Sequence, residues 1–198
     1  MEYFVLGEKL PHTHSPAIHA MLGNPKYGVQ ELARENLPAL FAAREFCGIN
    51  VTIPYKEKVI PHLDEISDAA KMIGAVNTVK NVGGRLIGDN TDFYGMREMI
   101  LRAGIEIKGK KALILGTGGT SKTAKAVLTD LGASEIIVVS RKESDKTVTY
   151  ETAVTHHSDA EIIVNATPVG MYPDCDNKLI DLSNFTRCEG VLDLIYNP

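Results

Sequence analysis

The sequence has 198 residues, of which 44% are hydrophobic and 23% charged, so it can build either one large or two small buried cores. Its 21 lysine and arginine residues against 25 aspartate and glutamate residues give a net charge of -4. A net negative charge gives no positive electrostatic potential to attract nucleic acid or an anionic membrane surface. No apolar run approaches the roughly 20 residues of a membrane span, and the N-terminus lacks a signal-peptide pattern. We therefore expect a cytoplasmic protein that binds neither nucleic acid nor membrane.

The cysteines and the paired histidines do not indicate a disulfide or a metal. Cys47, Cys175 and Cys188 are odd in number and widely separated, which fits neither a disulfide framework nor a zinc site. His12 and His14 lie two residues apart with no cysteine or carboxylate nearby, a pattern more typical of a loop than of a ligand set. We predict no metal site.

The first half of the chain alternates short strands with short helices, which is typical of an α/β unit. Helices are predicted after Ser15 and after Asp64. Strands are predicted at 3–6, 48–52, 75–79 and 85–87.

A longer helix is predicted to connect the two halves. It opens at Thr91 and Asp92 and ends at Gly104. Its apolar positions recur at helical spacing, at Met96, Met99 and Ile100.

The second half begins with a strand at 111–115, a glycine turn at 116–119, a helix that runs to Gly132, and a strand at 135–140. The helix carries one apolar stripe, formed by Ala124, Val127, Leu128 and Leu131. A glycine turn at a helix N-terminus within a βαβ unit predicts that a nucleotide or dinucleotide binds there, although such a turn can also be purely structural.

The residues after the second strand of this unit indicate which dinucleotide is preferred. An NAD site usually places an acidic residue there, whereas this chain has Ser140, Arg141 and Lys142. A guanidinium can hold a 2′-phosphate in a bidentate way, so NADP is predicted over NAD. Two further strands, 161–164 and 190–194, end at the sheet edge where a nicotinamide would bind, and are followed by Thr167, Gly170, Met171 and Tyr196.

Polar side chains in the first half fall where apolar, strand-like segments end. They are Asn50, Thr52, Asn77 and Asn90. Lys56 and Asp92 complete the set of groups needed for proton transfer to a hydroxylated ligand. The alternative is that these two are an exposed lysine in a turn and a helix N-cap.

Taken together, the motifs resemble those of shikimate dehydrogenases. The segments are H-T-H-S-P-A-I-H, N-V-T-I-P-Y-K, G-A-V-N-T, G-D-N-T-D, G-T-G-G-T and N-A-T-P-V-G-M, in family order from the first strand to the last residue. The resemblance implies an α/β protein with a substrate-binding catalytic domain at 1–91, a connecting helix and linker at 92–108, and a Rossmann-like NADP-binding domain at 109–198. It implies the reversible, NADP-dependent reduction of 3-dehydroshikimate to shikimate in aromatic amino-acid biosynthesis.

The resemblance also implies roles for individual residues. Lys56 and Asp92 would be the catalytic pair. Substrate would be bound by Thr13, Ser15, Thr52, Asn77, Asp92 and Tyr196. Cofactor would be bound by Gly116, Gly118, Gly119, Thr120, Ser140, Arg141, Lys142, Thr167, Gly170 and Met171.

The chain departs from the family pattern in three motifs and at its end. Thr13 stands where a serine is usual, Phe93 where glycine is common, and Ser140 and Lys142 flank Arg141 in place of the commoner neighbours. The family continues beyond Pro198, so we expect impaired substrate binding, with lower stability or self-association as a homodimer, because the last apolar strand would lie on an open sheet edge.

Three other functions remain open from the sequence. They are a quinate/shikimate dehydrogenase that uses NAD, a non-catalytic shikimate-binding protein, and a methyltransferase that uses the glycine turn. Arg141 argues against the first and the third, since both would favour an acidic residue after the second strand.

Overall fold

The computed structural model describes residues 1–11 and 13–195. It divides into two compact units, Met1–Asp92 and Phe93–Pro198. Within the described ranges, no helix is long and apolar enough to cross a membrane.

The first unit is built on a six-stranded mixed sheet with the strand order β2-β1-β3-β5-β6-β4. Its strands are β1 (Tyr3–Gly7), β2 (Gly28–Glu31), β3 (Gly48–Val51), β4 (Glu65–Ile66), β5 (Thr78–Val82) and β6 (Arg85–Asp89). β1 pairs in parallel with β2 and β3, and β5 is antiparallel to both β3 and β6. The parallel pair of β1 and β3 therefore ends at one edge, where polar side chains can meet.

Three short helices accompany this sheet: α1 (Ser15–Met21), α2 (Leu37–Ala43) and α3 (Asp68–Ile73). The core lies between the sheet and these segments, with Leu6, Phe41, Ile49, Tyr55 and Leu86 almost fully buried. The sequence did not predict α2, although Pro38 near its start is a helix-opening signal. It also missed β2 and β4, which are too short to show a clear alternation.

The strand predicted at 75–79 is displaced in the structure, since β5 begins at Thr78. Gly74 ends α3 in the left-handed conformation at φ 72°. The next backbone groups then bond to loops: the Val76 N–H donates to the Lys56 carbonyl at 2.7 Å and the Asn77 N–H to the Asp89 carbonyl at 3.0 Å. These bonds hold residues 75–77 between the loop at Lys56 and the end of β6 at Asp89.

The second unit contains a four-stranded parallel sheet with the order β10-β9-β7-β8. Its strands are β7 (Lys111–Leu115), β8 (Glu135–Val139), β9 (Ile162–Asn165) and β10 (Gly190–Asp193), and its helices are α5 (Gly119–Asp130) and α6 (Tyr150–His156). Helix α4 (Thr91–Arg102) begins in the last residues of the first unit and continues into the second. The predicted α/β class with a Rossmann-like unit is confirmed.

The predicted helical stripes are mostly confirmed. In α4, Met96 and Ile100 are buried, whereas Met99, which shares their helical spacing, is 41% exposed. In α5, Ala124, Val127 and Leu128 are fully buried, and Leu131 lies just after the helix end, half-buried. The sequence missed α6, which begins after Thr149, whose hydroxyl accepts from the Thr152 N–H.

In the first unit, Arg44 joins three segments that are distant in sequence. Its guanidinium makes a two-pronged contact with the Asp64 carboxylate, at 2.7 and 3.0 Å, and donates to the Gly84 carbonyl. Asp64 also accepts from the Leu86 N–H at 2.7 Å. The Arg44 guanidinium and this backbone bond hold the pKa of Asp64 below its usual range.

The Asp64 contact predicts an acid-dependent loss of stability. A lowered folded-state pKa contributes stability that is present above the unfolded value, about pH 4, and is lost as the pH falls through the folded value. We expect Asp64→Asn to be less stable than wild type at pH 7 and the difference to shrink as the pH falls below about 4.

Urea unfolding followed by circular dichroism at pH 7 and pH 3 measures this. Asp68→Asn is the control, because its pair with Lys71 is a surface contact with the carboxylate 92% exposed. A difference between wild type and Asp64→Asn that stays constant with pH would contradict the prediction.

Candidate active site

A pocket of about 300 Å³ opens in the first unit at the ends of β1 and β3. Four of the residues predicted to bind substrate or act in catalysis line it: Ser15, Thr52, Lys56 and Asn77. His19 and Asn50 also line it. The sheet explains the grouping, because β3 ends at Val51 and the Thr52 N–H still bonds to the Leu6 carbonyl of β1 at 3.0 Å.

Lys56 and Asp92 form an ion pair, with Nζ and Oδ2 2.9 Å apart. Their side chains are 32% and 51% exposed, so both can be reached from solvent. The Lys56 carbonyl accepts from the Val76 N–H, which ties the loop that carries the lysine to the loop before β5. The fold thus brings together two residues that are 36 positions apart in sequence.

Asn90 determines where α4 begins. It is 1% exposed, its Oδ1 accepts from the Asp92 N–H at 3.1 Å, and its Nδ2 donates to the Ala75 carbonyl at 3.0 Å. Asn90 therefore caps the helix, and Asp92 lies in its first turn. The alternative interpretation of Asp92 as the N-cap is wrong.

Asn77 both lines the pocket and holds the first residue of α4. Its Oδ1 accepts from the Thr91 N–H at 2.9 Å and its Nδ2 donates to Thr91 Oγ1 at 3.1 Å. Only 8% of Asn77 is exposed. Because Asp92 follows Thr91 directly, the position of Asp92 depends on this contact.

Thr13 and Ser15 lie at the start of α1. The Thr13 hydroxyl accepts from the Ser15 N–H at 3.3 Å, which leaves its own proton for another acceptor. Ser15 lines the pocket. Tyr196, also predicted to contact substrate, lies outside the described residues.

The structure adds residues to this site that sequence reasoning missed. The ring of His19, which lines the pocket, stacks on that of Tyr27, with centroids 3.7 Å apart and planes 3° from parallel. The Tyr27 hydroxyl donates to Asn50 Oδ1 at 2.6 Å. His19 follows Ser15 by four positions on α1, a spacing that could have indicated a shared face, whereas nothing in the sequence marks Tyr27.

Burial keeps the Tyr27 hydroxyl protonated. The loss of water around the ring raises the pKa of Tyr27 to about 12, against a smaller opposing effect of the Asn50 backbone. The hydroxyl is therefore protonated throughout the neutral range.

In the second unit, the glycine turn after β7 leaves open space at the start of α5. Gly118 provides no capping side chain, and a Cβ added at Gly118 or Gly119 would meet nothing within 4 Å. Gly116 has φ 106°, and a Cβ there would come within 2.8 Å of Thr167 Cγ2 and 3.1 Å of the Ala166 carbonyl oxygen. The first backbone N–H groups of this 12-residue helix are thus left uncovered by side chains at the turn, and uncovered N–H groups at a helix N-terminus can bind a phosphate group.

The residues predicted to hold the 2′-phosphate follow β8. Arg141 and Lys142 are exposed, and the Lys142 N–H donates to Ser140 Oγ at 3.4 Å. Arg141 lies near Tyr150: burial raises the pKa of that tyrosine, and the guanidinium partly opposes the effect. An exposed guanidinium at this end of β8 fits a 2′-phosphate.

Asn165 organises the loop after β9, a role that the sequence did not indicate. Its Oδ1 accepts from the Thr167 N–H at 3.1 Å and from the Thr167 hydroxyl at 2.8 Å, and its Nδ2 donates to the Val169 carbonyl at 3.2 Å. Gly170 follows with φ 99°, and Met171 is 40% exposed. Asn165, Val169 and Gly170 also line a cavity of about 820 Å³ on this unit.

Comparison with known proteins identifies the family. Residues 5–79 match the model of the shikimate dehydrogenase substrate binding domain. The chain is 37% identical to the shikimate dehydrogenase (NADP(+)) of Clostridium beijerinckii, with 100% of this chain and 79% of the relative covered, and 42% identical to that of Halothermothrix orenii, with 98% and 77% covered. The chain belongs to the shikimate dehydrogenase family.

A solved structure of the family gives the same result for the fold. The crystal structure of shikimate 5-dehydrogenase from Thermus thermophilus, in complex with NADP(H) and shikimate, superposes with a TM-score of 0.79 at 35% identity. The alignment covers 99% of this chain and 79% of that one. The resemblance inferred from the six motifs is thereby confirmed.

The capping role of Asn90 predicts a large effect on stability. In Asn90→Ala, α4 loses its N-cap and the Ala75 carbonyl loses its donor inside the protein, so we expect a loss of about 1–3 kcal/mol in the free energy of unfolding. Asn90→Asp keeps an acceptor for the Asp92 N–H but places a second acceptor against the Ala75 carbonyl in a buried site, so we expect it to be at least as destabilising as Asn90→Ala. Urea unfolding at pH 7 measures both; equal stability of Asn90→Ala and wild type would show that the cap contributes nothing.

Proposed function

We propose that this member of the shikimate dehydrogenase family catalyses the reversible, NADPH-dependent reduction of 3-dehydroshikimate to shikimate, as in aromatic amino-acid biosynthesis. The observation that carries the proposal is the Lys56–Asp92 pair, 2.9 Å apart, beside a pocket lined by Ser15, Thr52 and Asn77. A charged pair next to hydroxyl and amide groups suits a small polyhydroxylated ligand that exchanges a proton.

In this proposal the two units have separate tasks. Substrate would bind to residues 1–91, the segment 92–108 would connect the units, and NADP would bind to residues 109–198. The match of 5–79 to the family's substrate-binding domain supports the first assignment. The open helix N-terminus after β7 supports the last.

Lys56 would act as the proton donor and Asp92 as its partner. Bound NADPH supplies a hydride, and reduction of the substrate carbonyl then leaves an oxygen that must gain a proton. The Lys56 ammonium can hold that oxygen by a charge-assisted hydrogen bond and give it a proton. Asp92 accepts from the same Nζ and holds the ammonium group in place. In the reverse direction, Lys56 takes up the proton of the substrate hydroxyl.

The other side chains would bind and orient the substrate. The hydroxyls of Thr13 and Ser15 would donate to the substrate carboxylate. Thr52, Asn77 and Asp92 would hold the ring hydroxyls, and Tyr196 stays a prediction from the sequence. In the second unit, the residues that would contact cofactor are Gly116, Gly118, Gly119, Thr120, Ser140, Arg141, Lys142, Thr167, Gly170 and Met171.

A homodimer and a cytoplasmic location also stay predictions from the sequence.

Shikimate-dependent reduction of NADP, followed by nicotinamide absorbance, tests the proposed activity, with NAD and quinate run in parallel. We expect Lys56→Met to lower kcat by about 10²- to 10⁴-fold, because the proton donor is removed while the length of the side chain is kept. Lys71→Met, an exposed lysine on α3, is the control and should retain activity. Activity of Lys56→Met close to wild type would overturn the assigned role, and shikimate binding without turnover in wild type would indicate a binding protein.

Replacing Arg141 tests the preference for NADP. Removal of a charge-assisted contact to the 2′-phosphate should raise the KM for NADP by about 10- to 100-fold and leave the KM for NAD nearly unchanged. Arg141→Ala is compared with Lys125→Ala, which removes an exposed charge from α5. Equal changes for NADP and NAD would place Arg141 outside the 2′-phosphate site.

A further inference from the structure

Hydrogen-bonded side chains run in an unbroken series beside the pocket of the first unit. Tyr27 donates to Asn50 Oδ1 at 2.6 Å, and Asn50 Nδ2 donates to Thr78 Oγ1 at 3.3 Å. The Thr78 hydroxyl donates to Asn77 Oδ1 at 3.1 Å, and Asn77 binds Thr91. Two members of this series, Asn50 and Asn77, line the pocket.

The direction of each hydrogen bond in the series follows from the Thr91 backbone N–H, which can act only as a donor. The backbone N–H of Thr91 can only donate, so the Asn77 atom 2.9 Å from it must be Oδ1. Thr78 has a single hydroxyl proton, which it gives to this oxygen, so it must accept from Asn50 Nδ2. Asn50 Oδ1 then faces Tyr27. A flipped Asn50 amide would leave one Thr78 proton between two acceptors.

The backbone holds the middle of the series in place, and aromatic packing holds its Tyr27 end. Asn50 of β3 and Thr78 of β5 are directly opposite each other in an antiparallel pair. Tyr27 is 7% exposed, and His19 stacks on its ring. The position of the Tyr27 hydroxyl is therefore fixed by packing and does not depend on a bound ligand.

We propose that Tyr27 is a positioning residue that locks both pocket carboxamides, Asn50 directly and Asn77 through Thr78, in the orientation set at the Thr91 end of the series, for recognition of ring hydroxyls. The remaining N–H groups of the two amides are then held in one defined arrangement, and both residues line the pocket. A freely flipping amide would offer an acceptor where the ligand needs a donor. The identity of the ligand rests on the proposed function; the coupling of the side chains does not.

Tyr27→Phe tests the proposal, since it keeps the ring and its stacking on His19 and removes only the hydroxyl. We expect the KM for shikimate to rise about three- to tenfold, the loss expected for one neutral hydrogen bond, with the KM for NADP unchanged and kcat within about twofold of wild type. Thr78→Val breaks the series at its middle and should act in the same direction. Both variants leave Lys56 and Asp92 intact.

Tyr55→Phe is the matched control. The Tyr55 hydroxyl is also buried in the first unit and also donates at 2.6 Å, but its acceptor is the Leu32 carbonyl, outside the series. We expect Tyr55→Phe to lower stability about as much as Tyr27→Phe and to leave the KM for shikimate unchanged. An equal rise in KM for both variants would mean general loosening of the unit and would overturn the proposal.

A second measurement needs neither ligand nor turnover. In heteronuclear NMR spectra, the side-chain amide signals of Asn50 and Asn77 should both shift in Tyr27→Phe, and neither should shift in Tyr55→Phe. Asn77 signals that move in Thr78→Val but not in Tyr27→Phe would overturn the coupling. If the wild-type protein does not turn over shikimate, the proposed function fails, and the NMR result alone then decides the positioning role.

Discussion

The carboxamide of Asn77 is the contact on which the geometry of the candidate active site depends. It binds Thr91 through both the backbone N–H and the hydroxyl, while the buried amide of Asn90 caps the same helix. These contacts fix the first turn of α4 and with it Asp92. The Lys56–Asp92 pair could not do this by itself, because an ion pair with side chains 32% and 51% exposed contributes little to stability. Buried neutral amides place the charges, and the exposed charges remain available for chemistry.

In the second unit, the candidate cofactor site depends on glycines, which have no side chain to fill the space. Gly116 allows the loops after β7 and β9 to touch, and Gly118 leaves the start of α5 uncovered. The order of the sheet places β8 on one side of β7 and β9 on the other. The chain therefore changes direction at β7, and the open helix N-terminus lies where parallel sheets bind ligands. Asn165 then holds the neighbouring loop by bonds to Thr167 and Val169.

The sequence-based predictions are accurate where local signals determine the structure, and they are wrong where contacts between distant segments of the chain determine it. The elements with a strong local signal, such as the apolar run of β7 and the apolar stripe of α5, were predicted nearly to the residue. The strand predicted at 75–79 starts three residues later, because Val76 and Asn77 bond to the Lys56 and Asp89 carbonyls. Met99 has helical spacing but is exposed. Spacing indicates which face of a helix is apolar, but not how much of that face other segments cover. Strands β2 and β4 show no clear alternation, and the helix-opening signal of Pro38 in α2 was missed.

The sequence by itself determined the family, the α/β class, and a set of polar residues that includes Lys56, Thr52, Asn77 and Asp92. It could do so because motif order, glycine positions and apolar periodicity are local properties of the chain. Only the tertiary structure assigned Asn90 to the helix cap and brought His19 and Tyr27 to Asn50, because stacking and hydrogen bonding depend on distance and orientation in space. Residues 23 or more positions apart, such as Tyr27 and Asn50, become neighbours only when the sheet register is formed.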